Sequence, residues 1–230
     1  MSLIIFLKKV KNTFLTPRIN NLNYNKFYDH KNFFFKILSR IFWFFPNNHQ
    51  SKYWINANKI GHGYEKFIEM DILGLSITNK IKEYTKKEEK ILDICCNVGR
   101  ILNELNISGY KNLYGFDINE EAIKNSTNVF SKLNNANLVC SNAEEYLKNI
   151  SDNFYDTSFS LGASLELIPP HFDVIKHISR ITKNYFICII NENGHAYPRF
   201  WKHEFTKNSF KIIESSNEYE KRTLFVLQKV

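Results

Sequence analysis

Apolar residues recur along this chain in two rhythms, and the switching between them predicts alternating strands and helices. Lys90–Cys95, Asn112–Ile118, Ala136–Ser141, Tyr155–Leu161 and Tyr185–Ile190 are short, nearly continuous apolar runs bounded by polar residues. Such runs read as strands buried on both faces. Between them the spacing lengthens to that of helices. One is expected over about Val98–Ser108, one after Asn119, one opening at Glu144 and one over about Phe172–Thr182. Asn119 suits an N-cap, and Glu120 and Glu121 follow in the first turn, where the helix dipole favours acids. Phe210–Glu214 and Thr223–Leu227 flank a polar turn at Asn217-Glu218 and predict a closing hairpin. Strands alternating with helices predict an α/β domain built on a parallel sheet. There is no internal repeat.

Upstream the rhythm is helical. Residues 52–86 are expected to be mostly helix after a turn at Gly61 and Gly63, with Tyr64, Phe67, Ile68, Ile72 and Leu75 at helical spacing. Leu3, Leu7, Val10 and Phe14 share a face of a short amphipathic helix. Phe34, Ile37, Leu38, Ile41 and Phe45 do so in a second helix that Pro46-Asn47-Asn48 ends. That run is too short and too charged for a membrane span, which needs about 20 apolar residues. The chain therefore divides into an N-terminal helical extension, residues 1–50, and a domain over residues 51–230 that includes the helical entry segment.

Charge sharpens this division. The net charge is +8, yet residues 1–50 hold eight Lys/Arg and one Asp, which leaves the remainder nearly neutral. The extension also holds 12 of the 35 aromatic residues. Two readings of it stay open: a helix lying peripherally in a membrane interface, or a helix packed on the domain or at a homodimer contact. The neutral domain gives no strong nucleic-acid signal. Cys95, Cys96, Cys140 and Cys188 have no metal-ligand spacing, and adjacent Cys95 and Cys96 cannot form an ordinary disulfide. They read as reduced thiols, so a cytoplasmic location without a bound metal is expected, at most peripheral to the inner face of a membrane. No secretory signal is evident.

The chemistry concentrates where strands end. Asp93 closes the first strand, the loop Ile94-Cys95-Cys96-Asn97-Val98-Gly99-Arg100 leads into a helix, and Asp117 ends the second strand 24 residues later. A strand, a tight loop, a helix and an acid ending the next strand is how open α/β sheets build a nucleoside site. An acid so placed can accept both hydroxyls of a ribose. This arrangement resembles the class I S-adenosylmethionine-dependent methyltransferases, over roughly residues 88–230. Asp93–Arg100 matches the family's glycine-rich first motif and Asp117 its ribose acid. Ser141-Asn142-Ala143-Glu144 looks like the adenine-facing loop, and Tyr155–Pro170 like the fourth strand and its loop.

The resemblance implies a Rossmann-like α/β fold with helices on both faces of a seven-stranded, mostly parallel sheet. Its order would be 3-2-1-4-5-7-6, with strand 7 antiparallel. It implies S-adenosyl-L-methionine as cofactor, held by Asp93, Cys95, Asn97, Gly99, Asp117, Ile118, Asn142, Ala143 and Leu161. Glycines are usual where Cys95 and Asn97 stand, and an acid where Asn142 stands. For catalysis the candidates are Glu166 and His171 after the fourth strand and His195 after the fifth, a loop that also carries Tyr197 and Arg199. The expected activity is methyl transfer to a small-molecule or lipid-linked acceptor, at an oxygen of a sugar or glycan precursor. The alternatives are a non-catalytic adenosine-binding scaffold and an RNA methyltransferase.

Overall fold

The computed structural model describes residues 49–162, 164–192, 197, 199–219 and 222–230. The two helices expected within residues 1–45, with the membrane and dimer readings attached to them, lie outside the described residues.

Seven strands form one sheet in the order β3-β2-β1-β4-β5-β7-β6, as the resemblance implied. They are β1 Ile91–Ile94, β2 Leu113–Asp117, β3 Asn137–Cys140, β4 Tyr155–Leu161, β5 Thr182–Ile190, β6 Phe210–Tyr219 and β7 Arg222–Lys229. β1 is parallel to both neighbours, with Asp93 opposite Gly115 and Phe159. β7 runs antiparallel to both β5 and β6. The nearly all-apolar strands follow from this layering, because each strand residue must fit one of two covered faces. Leu92, Ile94, Phe116, Phe186, Cys188 and Phe225 pack on one face, beneath helices α5 (Ala143–Lys148), α7 (Val174–Ile181) and α8 (Trp201–Lys207). Ile91, Leu113, Phe159, Ile187, Leu224 and Val226 pack on the other, beneath α2 (Ile72–Tyr84) and α3 (Arg100–Ile107).

Three local expectations need correction and one is refined. The entry segment is mostly helical as expected, but in separate pieces. It holds α1 (His49–Ile55), two 3-10 turns at Asn58–Ile60 and Tyr64–Phe67, and then α2. Gly61, at φ 73°, ends the first turn in a left-handed cap. Asp71 caps α2 by accepting from the Gly74 amide at 2.7 Å. Within α2 the buried face is Ile77 and Ile81, while Ile72 is 70% and Leu75 50% exposed. The hairpin turn also lies later than Asn217-Glu218. β6 continues to Tyr219, which pairs with Arg222, helped by register shifts along β6. The Thr223 hydroxyl donates to the Asn217 carbonyl side chain at 2.8 Å, so polar residues here complete the hairpin rather than break it. β5 begins at Thr182, directly after α7, where its buried hydroxyl meets that of Ser158 at 2.8 Å.

α2 is fixed on the sheet through β6. Lys80 Nζ lies 2.7 Å from Glu214, and the Tyr84 hydroxyl donates to the same carboxylate. These contacts fix the C-terminal part of α2 against the edge hairpin. Among the described residues, no helix is long and apolar enough to cross a membrane.

Candidate active site

β1 delivers its chain into a loop whose backbone needs left-handed conformations at alternate positions. Cys95 has φ 61°, Asn97 φ 51° and Gly99 φ 85°. These are the positions where the resemblance implied glycines, so the backbone geometry persists although two side chains have changed. Asn97 bears it readily, since Asn enters this region more easily than most residues. Its own Oδ1 accepts the Val98 amide at 2.8 Å. Gly99 closes the turn to the Cys96 carbonyl at 2.9 Å and caps α3. A side chain there would clash with Leu133, its Cβ falling 2.8 Å from that residue's Cδ1.

Asp117 ties this loop to the next. One carboxylate oxygen accepts the Asn97 amide and the other the Asn119 amide, both at 2.8 Å. Asn119 in turn caps α4 (Glu120–Val129) through the Ala122 amide, and its Nδ2 donates to Asn58 at 3.0 Å, reaching the entry segment. Burial raises the Asp117 pKa, opposed by the amides of Asn119, Asn97 and Ile118. Each carboxylate oxygen has a second acceptor direction to offer a ligand.

Asp93 is different. Its side chain is almost fully buried, and no donor among the described residues partners it. Desolvation first, and then the Asp117 charge, push its pKa well above the usual carboxylate range, with Arg100 acting in the opposite sense. A buried acid without a partner is costly unless something positive is brought to it.

Both acids line a cavity of about 680 Å³ over the carboxyl edge of the sheet. Cys95, Asn97, Ile118, Asn142, Ala143 and Leu161 also line it, so of the expected cofactor residues all except Gly99 reach its wall. Asn142 uses its amide internally. Its Oδ1 caps α5 through the Glu145 amide at 2.9 Å, and its Nδ2 donates to the Glu145 carboxylate at 3.1 Å.

The candidate catalytic residues are separated. His171 lines the cavity, half-exposed, with Glu144 3.6 Å from its Nε2. Glu166 lies outside the cavity wall and is wholly buried. Its Oε1 accepts the Asn191 amide at 2.7 Å, and its backbone carbonyl accepts the Tyr197 amide at 2.9 Å. Burial lifts its pKa to about 8, against the Asn191 amide and the Arg222 and Arg199 charges. Its geometry is that of a residue tying the loop after β5 to α6 (Ser164–Leu167). His195 lies outside the described residues. Tyr197 and Arg199 are buried rather than presented to the cavity, and Arg199 donates to the Ile168 carbonyl at 2.8 Å.

Further residues from the entry segment, α3 and β7 line the wall. Trp54, His62 and Phe67 form an aromatic cluster in the cover, with ring centroids 5.5–6.2 Å apart. Desolvation, followed by nearby Lys66, lowers the His62 pKa and favours its neutral form. Arg100 lines the wall and donates to the Glu69 carbonyl at 2.5 Å and to Asp71 at 3.1 Å. It thereby ties α3 to the cover. Arg222, the first residue of β7, also faces the cavity and had no sequence signal beyond its charge.

The cradle fits the expected cofactor: a partnerless buried carboxylate for a cationic group, a strained loop allowing close approach, and a second acid with spare acceptor capacity. Cys95 sets one limit on that approach. Cys95→Val should lower stability by roughly 1–3 kcal/mol, because a β-branched side chain tolerates positive φ poorly. Cys95→Gly should fold normally and bind S-adenosylhomocysteine at least as tightly as the parent. Thermal melts and calorimetry check both, and tighter binding by the valine variant would contradict the account.

A family model described as a methyltransferase domain matches residues 91–185. No curated protein matches the chain. Among solved structures, a SAM-dependent methyltransferase from Aquifex aeolicus superposes with a TM-score of 0.56 at 19% identity, covering 73% of this chain and 97% of that one. Magnesium protoporphyrin IX methyltransferase from Synechocystis, solved with bound SAH, gives 0.59 at 13% identity, covering 79% and 99%. A TehB-like SAM-dependent methyltransferase from Corynebacterium glutamicum gives 0.57 at 18%, covering 79% and 98%. These likenesses carry the fold, and the family model carries the domain type. Residues 91–185 thus match a methyltransferase domain, and the sheet around them has the strand order of the Rossmann-like methyltransferase fold.

Proposed function

We propose that the protein transfers a methyl group to an oxygen of a small-molecule acceptor, with a sugar, a glycan precursor or a lipid-linked metabolite as the acceptor class. The observation that carries this reading is the cavity itself. It starts at the partnerless Asp93 carboxylate and continues beneath the entry segment to a wall of Ser164, Leu167, Ile168, Pro169, His171 and Phe172. A covered cleft of this size suits a compact acceptor, and the near-neutral domain offers little to an RNA backbone.

In this reading Asp93 faces the cationic amino acid part of S-adenosylmethionine and Asp117 takes the ribose hydroxyls. Ile118, Asn142 and Ala143 border the adenine, with Leu161 near the methionine end. The bound cofactor supplies an activated methyl group, so the chain's residues mainly have to orient the acceptor and exclude water. Trp54, His62 and Phe67 cover the cleft. His171, steadied by Glu144, receives the acceptor's hydroxyl proton. Glu166 serves by holding the loop after β5.

Purified protein should be incubated with methyl-labelled cofactor and separated cell fractions: small molecules, lipids, RNA and proteins. Label is expected in a small-molecule or lipid fraction, and His171→Ala should reduce it at least tenfold. Label confined to RNA or protein overturns the acceptor class. Cofactor binding without transfer to any fraction supports the non-catalytic scaffold instead.

A further inference from the structure

We propose that Arg222 is the specificity determinant for an anionic group, a carboxylate or a phosphate, on the acceptor. The inference deepens the small-molecule reading above and rests on it. Three cations line the cavity: Lys66, Arg100 and Arg222. Arg100 is committed to Asp71 and to the Glu69 carbonyl. Lys66 sits exposed on the 3-10 turn of the cover. Arg222 is half-buried, and no carboxylate among the described residues lies within ion-pair distance of it.

Position decides what Arg222 can meet. Its neighbour Thr223 pairs with Ile190 at the end of β5, on the far side of β4 from the loops at β1, β2 and β3. The cavity acids without a basic partner, Asp93 and Asp117, stand near the carboxyl ends of β1 and β2, at the opposite end. Glu144, the remaining acid near the β4 side, is occupied by Lys148 at 2.7 Å and by His171 at 3.6 Å. Glu166 lies behind the wall, feels the Arg222 charge, and already accepts the Asn191 amide. The β4–β5 end of the cavity thus presents a guanidinium with donors to spare, bordered by Leu167, Ile168, Pro169 and Phe172. A half-buried guanidinium bordered by apolar side chains suits one planar or tetrahedral oxyanion, held by two parallel hydrogen bonds.

Calorimetry on the full chain tests this without knowledge of the acceptor. The probes are inorganic phosphate and malonate, titrated with and without S-adenosylhomocysteine, on the parent, Arg222→Gln and Arg222→Lys. The parent should bind at least one probe. Arg222→Gln should lose at least tenfold in affinity, and Arg222→Lys should recover part of it, because lysine keeps the charge but not the fork. All three should bind S-adenosylhomocysteine alike. Preference for phosphate over malonate, or the reverse, identifies the kind of oxyanion. Equal binding of both probes by parent and Arg222→Gln, or no probe binding by the parent, overturns the assignment. Failure of S-adenosylhomocysteine to bind would strike the methyltransferase reading instead, since the anion titrations are also read without it.

Discussion

Asp93→Asn should make the protein more stable and its cofactor binding worse. The two effects share one cause. In the free protein the Asp93 carboxylate is almost fully buried and has no donor among the described residues. Burial and the Asp117 charge hold its pKa well above the ordinary range. A raised acid stabilises the fold only while protonated, so its contribution is present at low pH and is lost as pH rises from the unfolded value toward the raised one. The amide isostere is neutral at every pH and avoids that loss. Its melting temperature should therefore exceed the parent's near neutral pH and approach it in acid. Binding should move the other way. A cationic group brought to Asp93 gains a charge-assisted hydrogen bond worth about 1.5–3 kcal/mol, so the variant should bind S-adenosylmethionine roughly 10–100-fold more weakly. Parent binding should also strengthen with rising pH as Asp93 ionises, while the variant's stays flatter. A variant that is more stable with undiminished affinity would remove Asp93 from the site.

This pairing separates Asp93 from Asp117, whose removal gives an ambiguous answer. The Asp117 carboxylate receives the amides of both Asn97 and Asn119. Asp117→Ala would therefore release the loop after β1 as well as any ribose contact. Sequence spacing finds both acids but not this division of labour. Spacing reports which residues end adjacent strands, and it is silent on which oxygen the backbone has already taken.

The same boundary runs through the rest of the chain. The strands and the strained loop are legible because their signals are local: apolar runs, and residues tolerant of positive φ at Asn97 and Gly99. The entry segment reads as mostly helix because Tyr64, Phe67, Ile68, Ile72 and Leu75 repeat at helical spacing. Gly61 and the Asp71 cap break it, and the buried face of α2 falls on Ile77 and Ile81. Arg222 has no local signal because it reaches the cavity through the hairpin register, a long-range property. The place of Glu166 after β4 suggests a catalytic group, and only the backbone of the loop after β5 reveals what it holds.

Glu166→Gln should separate those two roles through the pH dependence of stability. Burial raises the Glu166 pKa to about 8 from an ordinary value of 4.5. The unfolded chain gives up this proton through the lower value and the folded chain only near the upper one. Between them the folded state holds more protons, so the parent loses stability as pH rises across that window, and the loss levels off above it. Stability falls by about 1.4 kcal/mol for each pH unit of the window, which sets a ceiling of a few kcal/mol on the effect. Glutamine keeps an oxygen for the Asn191 amide, 2.7 Å away in the parent, and never ionises. The stability of this variant should match the parent's near pH 5 and exceed it clearly near pH 8.5, as followed by denaturant unfolding across that range. Glu166→Ala should instead be destabilised at both ends, since it strands the Asn191 amide at a cost of about 1–3 kcal/mol and empties a packed site. Methyl transfer supplies the second discrimination. A proton-accepting Glu166 would leave the glutamine variant inactive at every pH. A residue that holds the loop leaves it active, with a pH profile that no longer weakens as the parent's fold loosens on the alkaline side. Parallel stability curves for parent and glutamine variant would show that the buried acid is not protonated in the folded state, and would end this account of it.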